Sequence, residues 1–180
     1  MGNICRSPTA EGVMRKYVKE MGLSGRIVVD SAATHNYHVG EAPDPRAQAA
    51  ARKRGYDLSD LRARQIEPAD FERFDFVLAM DFNNLADLQT WCPAQQKKKI
   101  ELLMPYAQTR RATIVHDPYC RSTRDFDHVL DAIEDACRGL LGTIVGDYGV
   151  TRQLNVQRKS KLKILSNAWA FPTRIANFRL

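Results

Sequence analysis

Arg6, Ser7 and Pro8 follow the short stretch Met1-Gly2-Asn3-Ile4-Cys5, and together they have the residue types of an anion-binding loop running into a helix. Gly2 lets the backbone turn, and Arg6 offers a planar fork of donors that suits phosphate better than a lysine would. Ser7 fits an N-cap, and Pro8 fits the first helical position, where a missing N–H costs nothing. The helix end adds unpaired N–H groups and a positive dipole end. An ordinary capped helix with a solvated arginine has the same residue types. Further along, His116-Asp117-Pro118-Tyr119 sets a carboxylate, a stiff proline and an aromatic ring in a row, which by itself is a common turn. The histidines (His35, His38, His116, His128) and cysteines (Cys5, Cys92, Cys120, Cys137) show no metal-ligand spacing, so no metal or other cofactor is expected.

Alternating elements must carry these groups. Val13, Met14, Tyr17, Val18 and Met21 recur at spacings of three and four, which predicts a helix that Gly22 stops. Residues 27–29 read as a short buried strand, 44–54 as a helix closed by Gly55, 68–71 as a helical turn, 74–79 as a strand and 82–88 as a helix. Residues 99–103 make another strand. Phe126, Val129, Leu130, Ile133, Ala136, Cys137, Leu140 and Leu141 trace the apolar face of a long helix. Strands alternating with helices predict a parallel sheet covered on both faces, with ligands bound beyond the C-terminal ends of the strands.

Composition fits one globular domain: 180 residues with 44% apolar and 27% charged residues can bury a core without staples. No run approaches the ~18 apolar residues of a membrane span. Four sparse cysteines make no disulfide framework, so the expected compartment is reducing cytoplasm. The net charge of +6 is unevenly placed. From Thr151 to Leu180 there are seven basic residues and no acidic ones, and the first 150 residues hold 20 basic against 21 acidic. Such a tail can attract nucleic acid or an anionic surface, but a solvated extension is the simpler reading, and no nucleic-acid partner is expected.

The string Gly2-Asn3-Ile4-Cys5-Arg6-Ser7-Pro8-Thr9-Ala10-Glu11 resembles the phosphate-binding loop and first helix of the low-molecular-weight protein tyrosine phosphatases. So, in order, do Val29-Asp30-Ser31-Ala32-Ala33-Thr34, Gly40-Glu41-Ala42-Pro43-Asp44-Pro45-Arg46-Ala47, Arg64-Gln65-Ile66, Phe74-Asp75-Phe76-Val77-Leu78-Ala79-Met80-Asp81, Asn84-Leu85 and His116-Asp117-Pro118-Tyr119. The match runs over residues 2–145. It implies a three-layer α/β sandwich with a four-stranded parallel sheet of the phosphotyrosine phosphatase I-like type. The family motif is a cysteine, five residues, an arginine and a serine or threonine. Counted back from Arg6, the nucleophilic cysteine falls immediately before Met1, and the first inner strand is expected to be missing from this chain. The domain is drawn as 1–147, N-terminally truncated, with 148–180 as a basic, disordered extension. Segment 161–165, which alternates, is a candidate for the open slot in the sheet.

What the resemblance implies chemically is hydrolysis of phosphotyrosine or another aryl phosphate through a phosphocysteine, by a monomer with phosphoprotein substrates. Arg6 and the loop amides from Gly2 to Ser7 hold the phosphoryl oxygens, and Asp117 is the general acid. Asn3, Ser7 and Ser31 support the loop, Tyr37 and Tyr119 flank the substrate ring, and Asp81 is a helix N-cap. Cys5, next to Arg6 at a helix start, is expected to have a depressed pKa without serving as the nucleophile. Lacking its cysteine, the chain from Met1 is expected to be inactive. A non-catalytic phosphate-binding or interaction protein is the alternative, and an arsenate reductase is a third reading. Cys120 stands where many relatives have a second tyrosine, and Leu61 where some have a histidine that supports the loop.

Overall fold

A computed structural model describes residues 1–147 and 176–180. Four parallel strands, β1 (Ile27–Asp30), β2 (Phe76–Ala79), β3 (Ile100–Leu102) and β4 (Ala176–Arg179), lie in the spatial order β1-β4-β2-β3. Around them are helices α1 (Arg6–Glu20), α2 (Pro45–Lys53), α3 (Pro68–Arg73), α4 (Phe82–Trp91) and α5 (Thr123–Asp147). Leu78 and Met80 join the buried cluster that holds Val13 and Met14 of α1, Ala51 of α2 and Ile133 and Leu140 of α5. Val77 and Ala79 join Phe71, Phe74, Leu88 and Ile100 on the other side. Successive strand residues face opposite ways, so the sheet is covered on both faces, as the alternation of elements predicts.

Local chemistry sets the element ends. Asp44 accepts the Arg46 N–H at 2.8 Å and starts α2 at Pro45, whereas Gly22 closes α1 in the left-handed region at φ 70°. All eight apolar positions expected on the long helix are buried in α5. The start of α1 differs from the sequence reading. Cys5, not Ser7, takes the N-cap position, with no side-chain cap, and the helix begins at Arg6. The turn before it is made by Asn3 at φ 58°, a conformation asparagine tolerates. Gly2 serves a close approach instead: a Cβ there would lie 2.5 Å from His38 Cδ2.

The resemblance leads to the expectation of an inner strand missing from the sheet, whereas in the structure β4 holds an inner position. Ala176–Arg179 pairs in parallel with Ile27–Asp30 on one side, and Phe178 and Arg179 pair with Phe76 and Val77 on the other. Just past the strand, the Leu180 N–H donates to Asp30 O at 2.9 Å, and the Ala32 N–H donates to Leu180 O at 3.1 Å. An inner position without a strand would leave buried donors and acceptors on β1 and β2 unpaired, at roughly 1–3 kcal/mol each. The segment expected there, 161–165, lies outside the described residues.

Arg179, 2% exposed, fixes this strand. Its guanidinium pairs with Asp70 and, at 2.8 Å, with Asp30, donates to Ser31 O at 3.2 Å, and lies 4.1 Å from the centre of the Phe74 ring. Asp70 also takes two bonds from Arg64, at 2.9 and 3.0 Å. Among the described residues no helix is long and apolar enough to cross a membrane, and no cluster of His, Cys, Asp or Glu is placed to hold a metal ion.

Candidate active site

The start of α1 meets the ends of β1 and β2 at a cavity of about 210 Å³. Residues 2–7, Asp117, Tyr37 and Tyr119 all line it, so the structure gathers candidates that the sequence spreads over more than a hundred positions. Arg6 is 6% exposed. Its Nη1 donates to Asp81 Oδ2 at 2.6 Å and to Val115 O at 2.8 Å, and its Nη2 meets Asp117 Oδ2 at 3.3 Å. Three segments, α1, the end of β2 and the 115–117 loop, are thereby tied by one side chain.

The two carboxylates differ in freedom. Asp81 caps α4 by accepting the Asn84 N–H at 2.8 Å while it holds Arg6. Burial raises its pKa, but the Asn84 N–H and Arg6 outweigh that and hold it below the usual carboxylate range. The sequence reading sees only the cap. Asp117 has 41% of its side chain exposed, and its Oδ1 accepts the Tyr119 N–H at 3.1 Å across Pro118. This turn aims the other oxygen at Arg6.

Beneath the loop runs a chain of hydrogen bonds. Asn3 Nδ2 donates to Ser7 Oγ at 3.0 Å and to Ser31 Oγ at 2.8 Å, and Asn3 Oδ1 accepts the Arg64 N–H at 3.1 Å. Ser31 in turn donates to Glu11 Oε2 at 2.6 Å. Asn3, Ser7 and Ser31 are thus brought together, joined by Glu11, to which the sequence reading gives no role. Its signal was present, since Glu11 lies between Ala10 and Val13 on the helix. It is 3% exposed, and burial pushes its pKa up to about 7 against the Ser31 bond and the nearby Arg15. Leu61 packs in the core.

Cys5 departs from expectation. Burial, with Asp44 and Asp117 nearby, pushes its thiol up to about 12 rather than down, and Arg6 and Arg46 do not compensate. Arg46 is the second residue missed. It forks onto Asp44, at 2.8 Å to Oδ2, and donates to Tyr119 O at 2.9 Å and Arg121 O at 3.3 Å. The 117–121 turn is therefore hung from the start of α2. At the rim, Tyr37 is 70% and Tyr119 47% exposed, with His35 stacked on Tyr37 at 5.3 Å and His38 tilted against Tyr119.

The family model described as "Low molecular weight phosphotyrosine protein phosphatase" matches residues 1–158. The chain belongs to this family. It is 43% identical over 145 residues to a putative low molecular weight protein-tyrosine-phosphatase of Synechocystis sp., covering 80% of this chain and 92% of that one. It is 42% identical over 143 residues to the low molecular weight phosphotyrosine protein phosphatase of Homo sapiens, covering 78% and 89%. Among solved structures, a protein tyrosine phosphatase from Entamoeba histolytica with Hepes in its active site superposes with a TM-score of 0.78 at 39% identity, covering 83% of this chain and 94% of that one. The α/β fold with its parallel sheet is thus that of the low molecular weight phosphatases.

Proposed function

We propose that the Arg6 loop binds the phosphoryl group of phosphotyrosine or another aryl phosphate and that Asp117 protonates the departing phenolate. The observation that carries this reading is the meeting of Arg6 and Asp117 at 3.3 Å on the floor of a cavity rimmed by Tyr37 and Tyr119. An incoming phosphoryl oxygen takes Arg6 Nη2 from Asp117, the longest of the Arg6 contacts. Asp81 and Val115 O keep Nη1 in place, so the fork stays aimed as the ligand arrives. Ser7 accepts from Asn3 and so keeps its own O–H to donate towards the loop. Tyr37 and Tyr119 suit a planar phenol. Hepes, which sits in the active site of the Entamoeba relative, carries a tetrahedral anionic sulfonate, in keeping with such a loop.

Turnover needs a thiolate facing the loop. It attacks phosphorus, the ester P–O bond breaks, and the phenolate takes the Asp117 proton. Water then cleaves the P–S bond, with Asp117 accepting its proton. The family motif puts this cysteine directly before Met1. Burial pushes the Cys5 thiol up to about 12, which argues against Cys5 taking its place. A polypeptide starting at Met1 is therefore expected to bind phenyl phosphate without turnover, and one extended upstream by an apolar strand ending in cysteine to hydrolyse p-nitrophenyl phosphate. Turnover by the shorter chain that Cys5→Ser abolishes would refute the assignment.

A further inference from the structure

A second cleft, of about 530 Å³, lies on the far side of the acid loop and shares Asp117 with the first cavity. Arg110, Arg111, His116, Arg121 and His128 supply its polar wall, against Asp125 and Asp117. The cations are not equivalent. Arg110 is held by Asp131 at 2.9 Å, whereas the guanidiniums of Arg111 and Arg121 are in no ion pair among the described residues. Asp125 is occupied at the start of α5, where its Oδ2 accepts the N–H and O–H of Ser122 at 3.0 and 2.7 Å. Two exposed arginines therefore line the cleft outside any ion pair, beside Asp125, whose pKa is held down by its Ser122 bonds and, to a smaller extent, by Arg121 and His128.

The wall is built rather than loose. Asp135, 6% exposed on α5, accepts the backbone N–H groups of Gln108, Thr109 and Arg110 and the Thr109 hydroxyl, at 2.8 to 3.3 Å. On the other side, Arg46 holds the carbonyls of Tyr119 and Arg121. Both segments that carry the free guanidiniums are thus anchored by buried or paired side chains, which lowers the ordering cost of binding.

We propose that this cleft is a second anion subsite, which takes a carboxylate or phosphate carried by a phosphoprotein substrate beside its phosphotyrosine. The proposal rests on the phosphatase reading of the Arg6 cavity. Because the two cavities meet at Asp117, a peptide whose phosphotyrosine enters the first has neighbouring side chains within reach of the second, at ~3.3 Å of chain per residue. Paired guanidiniums favour carboxylate and phosphate oxygens through forked bonds. The first 150 residues are near neutral, with 20 basic and 21 acidic residues, so the excess positive charge of the chain does not lie in the part that holds this cleft.

The test uses four peptides: one with phosphotyrosine among neutral residues, one with two acidic residues beside it, one with a phosphoserine beside it, and the neutral peptide unphosphorylated. Affinities are measured by calorimetry on the full chain, its Arg111→Ala/Arg121→Ala variant and its Arg111→Glu variant. The acidic or the phosphoserine peptide should bind about tenfold tighter than the neutral phosphopeptide, and whichever gains more identifies the anion. The double variant should erase that gain and Arg111→Glu reverse it, with the neutral phosphopeptide unchanged. Equal affinity for all three phosphopeptides, or a gain that survives in the double variant, would overturn the subsite and leave the phosphatase reading intact. If the neutral phosphopeptide binds no better than its unphosphorylated form, both fall.

Discussion

Arg6 and Arg179 are both buried arginines held between two carboxylates, and they differ in whether those carboxylates can leave. Arg179 pairs with Asp70, 6% exposed, and Asp30, under a phenylalanine ring and against Ser31 O. Arg6 pairs with Asp81, 15% exposed, and with Asp117, 41% exposed on a loop. Charge, burial and partner type are alike, both side chains line the same cavity, and Asp30 is itself 31% exposed, yet both carboxylates of Arg179 are held at 2.8 Å or closer while Arg6 has one arm at 3.3 Å on a loop. A buried ion pair is thus weak evidence of function on its own. What marks Arg6 is that one partner is solvated, longer-bonded and attached to a turn.

The strongest way to break this comparison is to remove each arginine. Arg6→Ala should weaken binding of inorganic phosphate by about a hundredfold or more, since two charge-assisted bonds go, and Arg6→Lys should recover little because a point charge lacks the fork. Calorimetric titration checks both, and retained affinity in Arg6→Ala would mean the cavity is not an anion site. Arg179→Met should instead cost stability, about 2–3 kcal/mol in urea unfolding. The loss is held below that of a lone buried pair because Arg64 remains on Asp70 and Asp30. If Arg179→Met unfolds at the wild-type midpoint, β4 does not hold the inner position of the sheet in solution.

Much of this was legible from spacing. The apolar rows of α1 and α5, the Asp44-Pro45 helix start and the strand at 76–79 follow from local pattern. The contents of the 2–7 loop follow from residue types and resemblance. What escaped was long-range. Nothing near Asp81 in sequence says that its cap oxygens also face Arg6, seventy-five residues away. Nothing near Ala176–Arg179 marks it as an inner strand, because its partners are Ile27–Asp30 and the start of β2. Parallel pairing is set by tertiary placement rather than by any local turn. Ser7 was misplaced for a smaller reason: an N-cap preference describes average helices, and here the left-handed Asn3 brings its amide to Ser7 first.

A third buried charge sharpens the comparison because it has no sealed cation. Glu11 supports the loop through Ser31, and its only ion-pair partner among the described residues is Arg15, 44% exposed. Its ordinary pKa of 4.5 rises to about 7 in the fold. Between those values the unfolded chain has lost the proton while the folded chain keeps it. Stability from this group is therefore complete below about 4.5, falls as pH rises, and is gone above about 7. At roughly 1.4 kcal/mol per unit the upper bound is on the order of 3 kcal/mol. Glu11→Gln keeps an acceptor for Ser31 and should flatten that slope in urea unfolding between pH 5 and about 7.5. An unchanged slope would show that Glu11 is solvated enough to ionise freely.

The smallest effect should come from Arg46, which is neither sealed like Arg179 nor exposed to ligand like Arg6. Its side chain is 35% exposed, and its bonds to Asp44 hold that carboxyl below the usual range. Arg46→Lys keeps the charge and loses the fork, so the urea-unfolding midpoint should shift only slightly. The carbonyls of Tyr119 and Arg121 would then lack their donor, and the turn that aims Asp117 at Arg6 would be held by its own bonds, Tyr119 N–H to Asp117 Oδ1 and Arg121 N–H to Pro118 O. Amide exchange at Tyr119 reads this directly and should quicken by several-fold, with phosphate affinity nearly unchanged. Unchanged exchange would mean that the Asp117-Pro118-Tyr119 turn is self-sufficient, and that the exchangeable arm of the Arg6 assembly owes its position to sequence-local chemistry after all.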